Sequence, residues 1–123
     1  MKIRDILNKD TATISFEVFP PKKSTDFGNV EAAALGIAAL QPAYMSVTYG
    51  AGGSTKGHTI ALAEEIQKKH NVPTVAHLTC VCADRSSIGA ALTEMQAAGI
   101  ENILALRGDL PKDFDGEVFT DFT

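Results

Sequence analysis

The sequence predicts an α/β protein that forms the N-terminal half of a (β/α)8 barrel, in which parallel strands alternate with helices. Segments with strand and helix periodicity alternate along the chain, and polar residues recur in pairs near the strand ends. The 123 residues supply four strands, whereas a complete barrel of this kind takes about 250 residues. We therefore expect residues 1–123 to be a single partial domain, the first four β/α units of a truncated barrel.

The first part of the chain predicts two helices and two strands. Residues 1–7 form a short helix with apolar residues on one side. Alternation over residues 13–19 predicts a strand, which the two following prolines end because proline cannot continue the hydrogen-bond ladder. Residues 29–41 have apolar positions at helical spacing, with Asn29 as the N-cap, and residues 43–49 form the second strand.

The second part repeats this pattern. Residues 59–70 form a helix with Glu–Lys pairs four apart on its outer side. We expect His58, just before this range, and His70 to be surface residues of the helix. Residues 72–81 form the third strand. The third long helix opens at Asp84 or Ser86 and ends at Gly99. Residues 102–106 form the fourth strand, and residues 112–123 have no clear period.

The polar pairs favour a barrel over an open, Rossmann-type sheet. Helices cover both faces of an open sheet, where buried polar pairs would be costly. In a barrel, one side of each strand faces the axis, and polar residues near its carboxyl end line the active site. The pairs are Ser15 and Glu17, Ser46 and Thr48, His77 and Thr79, and Arg107 and Asp109.

Charge and composition exclude several classes of partner. The net charge of −4 gives no electrostatic reason to expect nucleic acid or an anionic membrane surface. The N-terminus does not have the pattern of a signal peptide, and no apolar run approaches a membrane span, so we expect a cytoplasmic protein. Cys80 and Cys82 would point the same way on a strand, where a bridge would be strained, so we expect reduced thiols and no metal site.

Four segments at the strand ends resemble methylenetetrahydrofolate reductase: FEVFPPK at 16–22, SVTYGAGGST at 46–55, AHLTC at 76–80 and LALRGDLP at 104–111. Each motif alone is weakly specific, but the four occur in order and cover nearly the whole chain. The resemblance implies a flavin-containing barrel that reduces 5,10-methylenetetrahydrofolate to 5-methyltetrahydrofolate. It also implies FAD as cofactor, NADH or NADPH as hydride donor and a folate substrate. We also expect a homo-oligomer.

The resemblance also implies roles for individual residues. Glu17 is expected to be the general acid, and Asp109 is expected to contact FAD and to lie beside the pterin. Thr48 is expected near the nicotinamide donor. The other expected FAD contacts are Tyr49, Ala51, His77, Arg107 and Gly108. One departure is the segment GSTKGHT at 53–59, where the family often has GSTRxRT; lysine keeps the charge but loses the forked geometry of arginine.

Each of these residues also has a structural interpretation. Glu17 could be a solvated acid at a strand end, and His77 could be a hydrogen-bonded core histidine. The glycines at 50–53 could form only a turn, although they also permit close approach of a ligand to the backbone. Two other functions stay open: a non-catalytic binding module of the same fold, and a barrel enzyme with different chemistry.

Overall fold

Helices and strands alternate along the chain in a computed structural model that describes residues 1–8, 10–50 and 55–110. The elements are α1 (Ile3–Leu7), β1 (Ser15–Val18), a 3₁₀ turn (Ser24–Asp26), α2 (Phe27–Ala38), β2 (Tyr44–Val47), α3 (Lys56–His70), β3 (Thr74–Thr79), α4 (Arg85–Ala97) and β4 (Asn102–Leu106).

The strands form one parallel sheet in the order β1-β2-β3-β4. Glu17 is paired in register with Ser46, Ser46 with Val75, and Val75 with Asn102. These residues form one row across the sheet, and their side chains share a face because neighbours in a parallel register point the same way. The parallel sheet and its alternation with helices confirm the predicted fold class, the N-terminal half of a (β/α)8 barrel.

The hydrophobic core lies between the helices and one face of the sheet. The strands contribute Met45, Val47 and Ala76, which are fully buried, and α3 contributes Leu62 and Ile66, which are also fully buried. Truncating either of the two α3 side chains to alanine would cost roughly 2–5 kcal/mol at such a site. Since strand residues alternate between faces, Glu17, Ser46 and His77 lie on the opposite face. We call this face helix-free because α2, α3 and α4 do not cover it; α1 contacts it only at its margin, where the backbone N–H of Ile3 donates to Asn102.

The helix boundaries differ from the prediction at three N-termini. α1 begins at Ile3, two residues after the predicted start. α2 begins at Phe27, directly after the 3₁₀ turn, so Asn29 lies inside the helix and is not its cap. α3 begins at Lys56, three residues before the predicted start. The start of α4 is confirmed, because Asp84 accepts a hydrogen bond from the backbone N–H of Ser87 in a capping box.

Surface pairs support α3 as predicted. Lys68 pairs with Glu64 at 2.6 Å and Lys69 pairs with Glu65 at 2.9 Å, each four residues apart on the outer side of the helix. Lys69 also reaches Glu31 at 2.9 Å, which ties α3 to α2. Among the residues that the structure describes, we find no helix with both the length and the apolar character to cross a membrane.

Candidate active site

Three polar side chains meet on the helix-free face of the sheet. The Ser46 hydroxyl donates to Oε2 of Glu17 at 3.3 Å. Nε2 of His77 lies 3.4 Å from the same oxygen. The Glu17 side chain is 47% exposed whereas that of His77 is 11% exposed, so the carboxyl group faces open space and rests on a buried imidazole. The sequence predicted that Glu17 and His77 share a face, and the structure brings them into contact.

This cluster presents a carboxyl group that can exchange a proton with a ligand. Both contacts use Oε2, so neither of them occupies Oε1. Ser46 and His77 restrict the rotation of the carboxyl group, and a positioned acid or base of this kind contributes typically 10²–10⁴-fold to a reaction. The sequence predicted Ser46 only as part of a polar pair. Its contact with Glu17 follows from the register of β1 and β2, in which the two residues are paired.

The loop after β2 is anchored at both ends. The backbone N–H of Thr48 donates to the carbonyl of Val18 at 3.0 Å, and the Thr59 hydroxyl donates to the carbonyl of Thr48 at 2.8 Å. The backbone N–H of Gly50 donates to the Thr55 hydroxyl at 2.7 Å, which closes the loop. Ala51, an expected FAD contact, lies outside the described residues.

Tyr49 occupies a partly buried position at the start of this loop. Burial raises the pKa of its phenol, and electrostatic interactions with Glu94 and Cys80 raise it further. The phenol therefore stays protonated well above neutral pH and can donate a hydrogen bond.

The segment after β4 packs against the end of β3. The backbone N–H of Val81 donates to the carbonyl of Arg107 at 2.8 Å. Gly108 has a φ of 83°, and a Cβ atom built there would lie 2.7 Å from Cβ of Thr79. Both the positive φ and the close contact require glycine. The side chains of Arg107 and Asp109 project from this turn into solvent.

Asp109 and Glu17 lie on opposite edges of the sheet. Strands β2 and β3 separate β1 from β4, and at about 4.8 Å per strand the two edges are roughly 14 Å apart. The structure therefore brings Glu17 into contact with His77 and not with Asp109. A ligand that contacts both carboxyl groups must extend across the sheet.

The surface between these edges is partly apolar. Leu104 is paired in register with His77, and Leu106 with Thr79. Leu104 is 44% exposed and Leu106 is 37% exposed. A mostly apolar surface with a few polar groups is typical of small-molecule sites.

A cavity of about 190 Å³ lies beyond the ends of β2 and β3, lined in part by Tyr49, Lys56 and Thr79. The hydroxyl of Thr79 is buried and has no hydrogen-bond partner in the part of the chain that the structure describes. Since buried hydroxyls normally have a partner, this unpaired group beside the cavity is unusual. A larger cavity of about 550 Å³, near Ile6 and Val72, lies at the other end of the sheet, far from these groups.

His58, which the sequence predicted as a surface residue, is half-buried and makes two side-chain contacts. Its Nδ1 lies 2.7 Å from the carbonyl oxygen of Pro21, and its Nε2 lies 3.2 Å from the Ser24 hydroxyl. Its ring is 5.6 Å from that of Phe27. These contacts fasten the loop that follows Glu17 to the first turn of α3, and no local sequence pattern reports them.

The family model for methylenetetrahydrofolate reductase matches residues 2–122. The chain belongs to the methylenetetrahydrofolate reductase family. This confirms the resemblance on which the expected site residues were based. The Glu17 cluster and the segment from Arg107 to Asp109 both lie within the residues that the family model matches.

Curated relatives give the same result. The chain is 40% identical over 119 residues to methylenetetrahydrofolate reductase 2 of Schizosaccharomyces pombe, covering 94% of this chain and 19% of that protein. It is 36% identical over 114 residues to methylenetetrahydrofolate reductase (NADH) 1 of Arabidopsis thaliana, covering 93% and 19%. It is 32% identical over 116 residues to 5,10-methylenetetrahydrofolate reductase of Pectobacterium carotovorum, covering 89% and 39%. The chain thus spans between a fifth and two fifths of the length of these relatives.

Proposed function

We propose that this chain provides the first four β/α units of an enzyme that reduces 5,10-methylenetetrahydrofolate to 5-methyltetrahydrofolate. Residues 1–123 would be a partial domain of its barrel. The observation that carries this proposal is the contact of Glu17 with Ser46 and His77 on the open face of the sheet, in a chain of the reductase family. Membership of the family supports a folate as the substrate. The Glu17 cluster supports a proton donor held in a fixed position.

The described residues fit FAD as the cofactor. The exposed surface of Leu104 and Leu106 suits a planar ring system, and His77 and Thr79 supply polar groups beside it. The glycine at position 108 permits close approach of the backbone. The residues proposed to hold FAD are Thr48, Tyr49, Ala51, His77, Arg107, Gly108 and Asp109. When bound, FAD would supply hydride transfer between a reduced nicotinamide and the folate.

Glu17 would act as the general acid toward the folate. Opening the five-membered ring of methylenetetrahydrofolate requires a proton on the departing ring nitrogen, and the resulting cation is the hydride acceptor. The Oε1 atom of Glu17, which the Ser46 and His77 contacts leave unused, is the oxygen that could deliver this proton. His77 and Ser46 would hold the carboxyl group in place through Oε2.

Asp109 would act through its charge. It is exposed after β4, on the opposite edge of the sheet from Glu17. A fixed carboxylate there would stabilise positive charge that develops on a substrate extended between the two edges, and a charge already in place needs no reorganisation during the reaction.

The donor, compartment and assembly are further proposals. The Arabidopsis relative is named as an NADH enzyme, which favours NADH, with NADPH as the alternative. Cys80 and Cys82 are free thiols, as expected in the reducing cytoplasm. The homo-oligomer expected from the sequence stays a proposal.

A second candidate is a non-catalytic binding module of the same fold. It stays a candidate because a fold by itself does not fix a function. Anaerobic absorbance spectra of the protein with bound FAD distinguish the two candidate functions. The enzyme would lose its flavin absorbance on addition of NADH and regain it on addition of methylenetetrahydrofolate. A protein that binds flavin but never regains its absorbance with the folate would be the binding module.

A further inference from the structure

The two cysteines of the chain lie in a tight turn directly after β3. The backbone N–H of Ala83 donates to the carbonyl of Cys80 at 3.2 Å, so residues 80–83 form a hydrogen-bonded turn. The expectation that a bridge would be strained assumed that both cysteines lie on a strand, but β3 ends at Thr79. Two residues span at most about 7.2 Å even in an extended chain, and a turn shortens that span, so the Cα atoms of Cys80 and Cys82 stay within the roughly 7 Å that limits a disulfide.

The backbone at Cys82 is unusual for a cysteine. Its φ of 58° lies in the left-handed region, where the third position of such a turn is normally glycine or asparagine. Cys82 is also exposed, so core packing does not account for a cysteine at this position. Uncommon backbone conformations that packing does not explain are found preferentially at functional sites.

We propose that Cys80 and Cys82 are a reversible disulfide site that reacts with small disulfides of the glutathione type. The thiolate of the exposed Cys82 attacks one sulfur of the small disulfide, forms a mixed disulfide and releases one small thiol. The thiolate of Cys80 then attacks Sγ of Cys82, and the second small thiol leaves as the protein disulfide forms. The two cysteines lose two electrons and two protons, and the small disulfide gains them.

The turn is connected to the proposed cofactor site. The backbone N–H of Cys80 donates to the carbonyl of Leu106 at 2.9 Å, and that of Val81 donates to the carbonyl of Arg107 at 2.8 Å. Cys82 also lines the cavity that contains Tyr49. Formation of the disulfide would therefore shift the backbone that is hydrogen-bonded to Arg107, a proposed FAD contact. This effect on the cofactor site rests on the proposed function, whereas the disulfide itself does not.

Mass spectrometry of the native protein tests the disulfide directly. Cleavage after Lys69 and Arg85 yields one peptide, residues 70–85, that contains both cysteines. After treatment with oxidised glutathione and acid quenching, this peptide should be lighter than the dithiol form by about 2 Da, the mass of the two hydrogens lost. Dithiothreitol should restore the original mass.

Single substitutions provide the controls. C80S keeps the exposed thiol and should stop at a stable glutathione adduct. C82S keeps only the half-buried thiol and should react at least about tenfold more slowly, because access controls thiol exchange. In urea, formation of the Cys80–Cys82 disulfide from the glutathione adduct of the wild-type protein should slow by about tenfold or more, because the unfolded chain no longer holds the two thiols in the native turn. A native wild-type protein that keeps the glutathione adduct or two free thiols would overturn the proposal, as would equal closure rates with and without urea.

Discussion

Nε2 of His77 lies 3.4 Å from Oε2 of Glu17, and this contact joins strands β1 and β3 across the helix-free face of the sheet. Ser46, on the strand between them, donates to the same oxygen. The carboxyl group is therefore held by two strands while remaining accessible to a ligand. This arrangement is the structural basis of the proposed proton transfer.

Replacing Gly108 by alanine should destabilise the protein. The new Cβ would lie 2.7 Å from Cβ of Thr79, and the φ of 83° is strained for alanine. Overpacking of this kind costs typically 1–3 kcal/mol, and the cost should appear in urea unfolding. Gly36→Ala is the matched control, since nothing lies within 4 Å of its added Cβ. Because Gly36 is inside α2, that change should stabilise by roughly 0.5–1 kcal/mol. Equal effects of the two substitutions would contradict the packing argument.

The cap of α4 should make stability depend on pH through Asp84. The hydrogen bond from the backbone N–H of Ser87 holds the pKa of this carboxyl group below its usual value. A lowered pKa in the folded state contributes stability above the pKa of the unfolded state, and this stability is lost as pH falls through the folded-state pKa.

Asp84→Ala should therefore lower Tm at pH 7 and have less effect at about pH 3. Asp84→Asn keeps an accepting oxygen and should retain more of the cap, without the dependence on pH. Thermal unfolding at both pH values checks the three proteins. An alanine variant whose loss of Tm is the same at both pH values would show that the charge of Asp84 is not part of the cap.

His58 should hold the loop after β1 in place. His58→Ala removes the contacts to the Pro21 carbonyl and the Ser24 hydroxyl. The freed loop contains Lys23, so trypsin should cleave there faster in the variant, because cleavage requires local opening. His70→Ala is the control on the same helix, because the hydrogen bond between His70 and Gln41 uses the backbone carbonyl of His70, which the substitution keeps. Unchanged cleavage at Lys23 in His58→Ala would mean that other contacts hold the loop.

The sequence predicted the ends of β1, β2 and β3 to within two residues and the start of α3 to within three. β4 was predicted with its observed bounds because an apolar run ends there at charged residues and glycine. The start of α2 was wrong because Asp26 makes no side-chain cap and the helix grows from a 3₁₀ turn. A capping pattern in the sequence cannot report a helix that begins without one.

The candidate site was predicted only in part, for a similar reason. Strand alternation placed Glu17 and His77 on one face, but their contact depends on the register of three strands. The contacts of His58 and the turn at Cys80 depend on where neighbouring elements end, which local periodicity does not contain. The roles of Thr48, Ala51 and Arg107 stay predictions that rest on the family resemblance.

A polypeptide of these 123 residues alone should self-associate and bind flavin weakly or not at all. The strands at both edges of the sheet, β1 and β4, can pair with another chain. Phe16, Leu104 and Leu106 are each at least 37% exposed and add apolar surface. Sedimentation should show species larger than the 13.0 kDa monomer, and Leu104→Lys should reduce their amount. A monodisperse monomer with stoichiometric flavin would contradict this expectation.

The half-reactions of Glu17→Gln test the central claim, that Glu17 donates the proton to the folate. Glutamine keeps the shape of the side chain and cannot transfer a proton. Stopped-flow absorbance of the complete enzyme with FAD should show flavin reduction by NADH near the wild-type rate. Flavin reoxidation by methylenetetrahydrofolate should fall by at least about 10²-fold. Glu31→Gln, on α2 and paired with Lys69, should leave both rates unchanged. Equal losses in both half-reactions, or a normal folate rate in Glu17→Gln, would contradict the account.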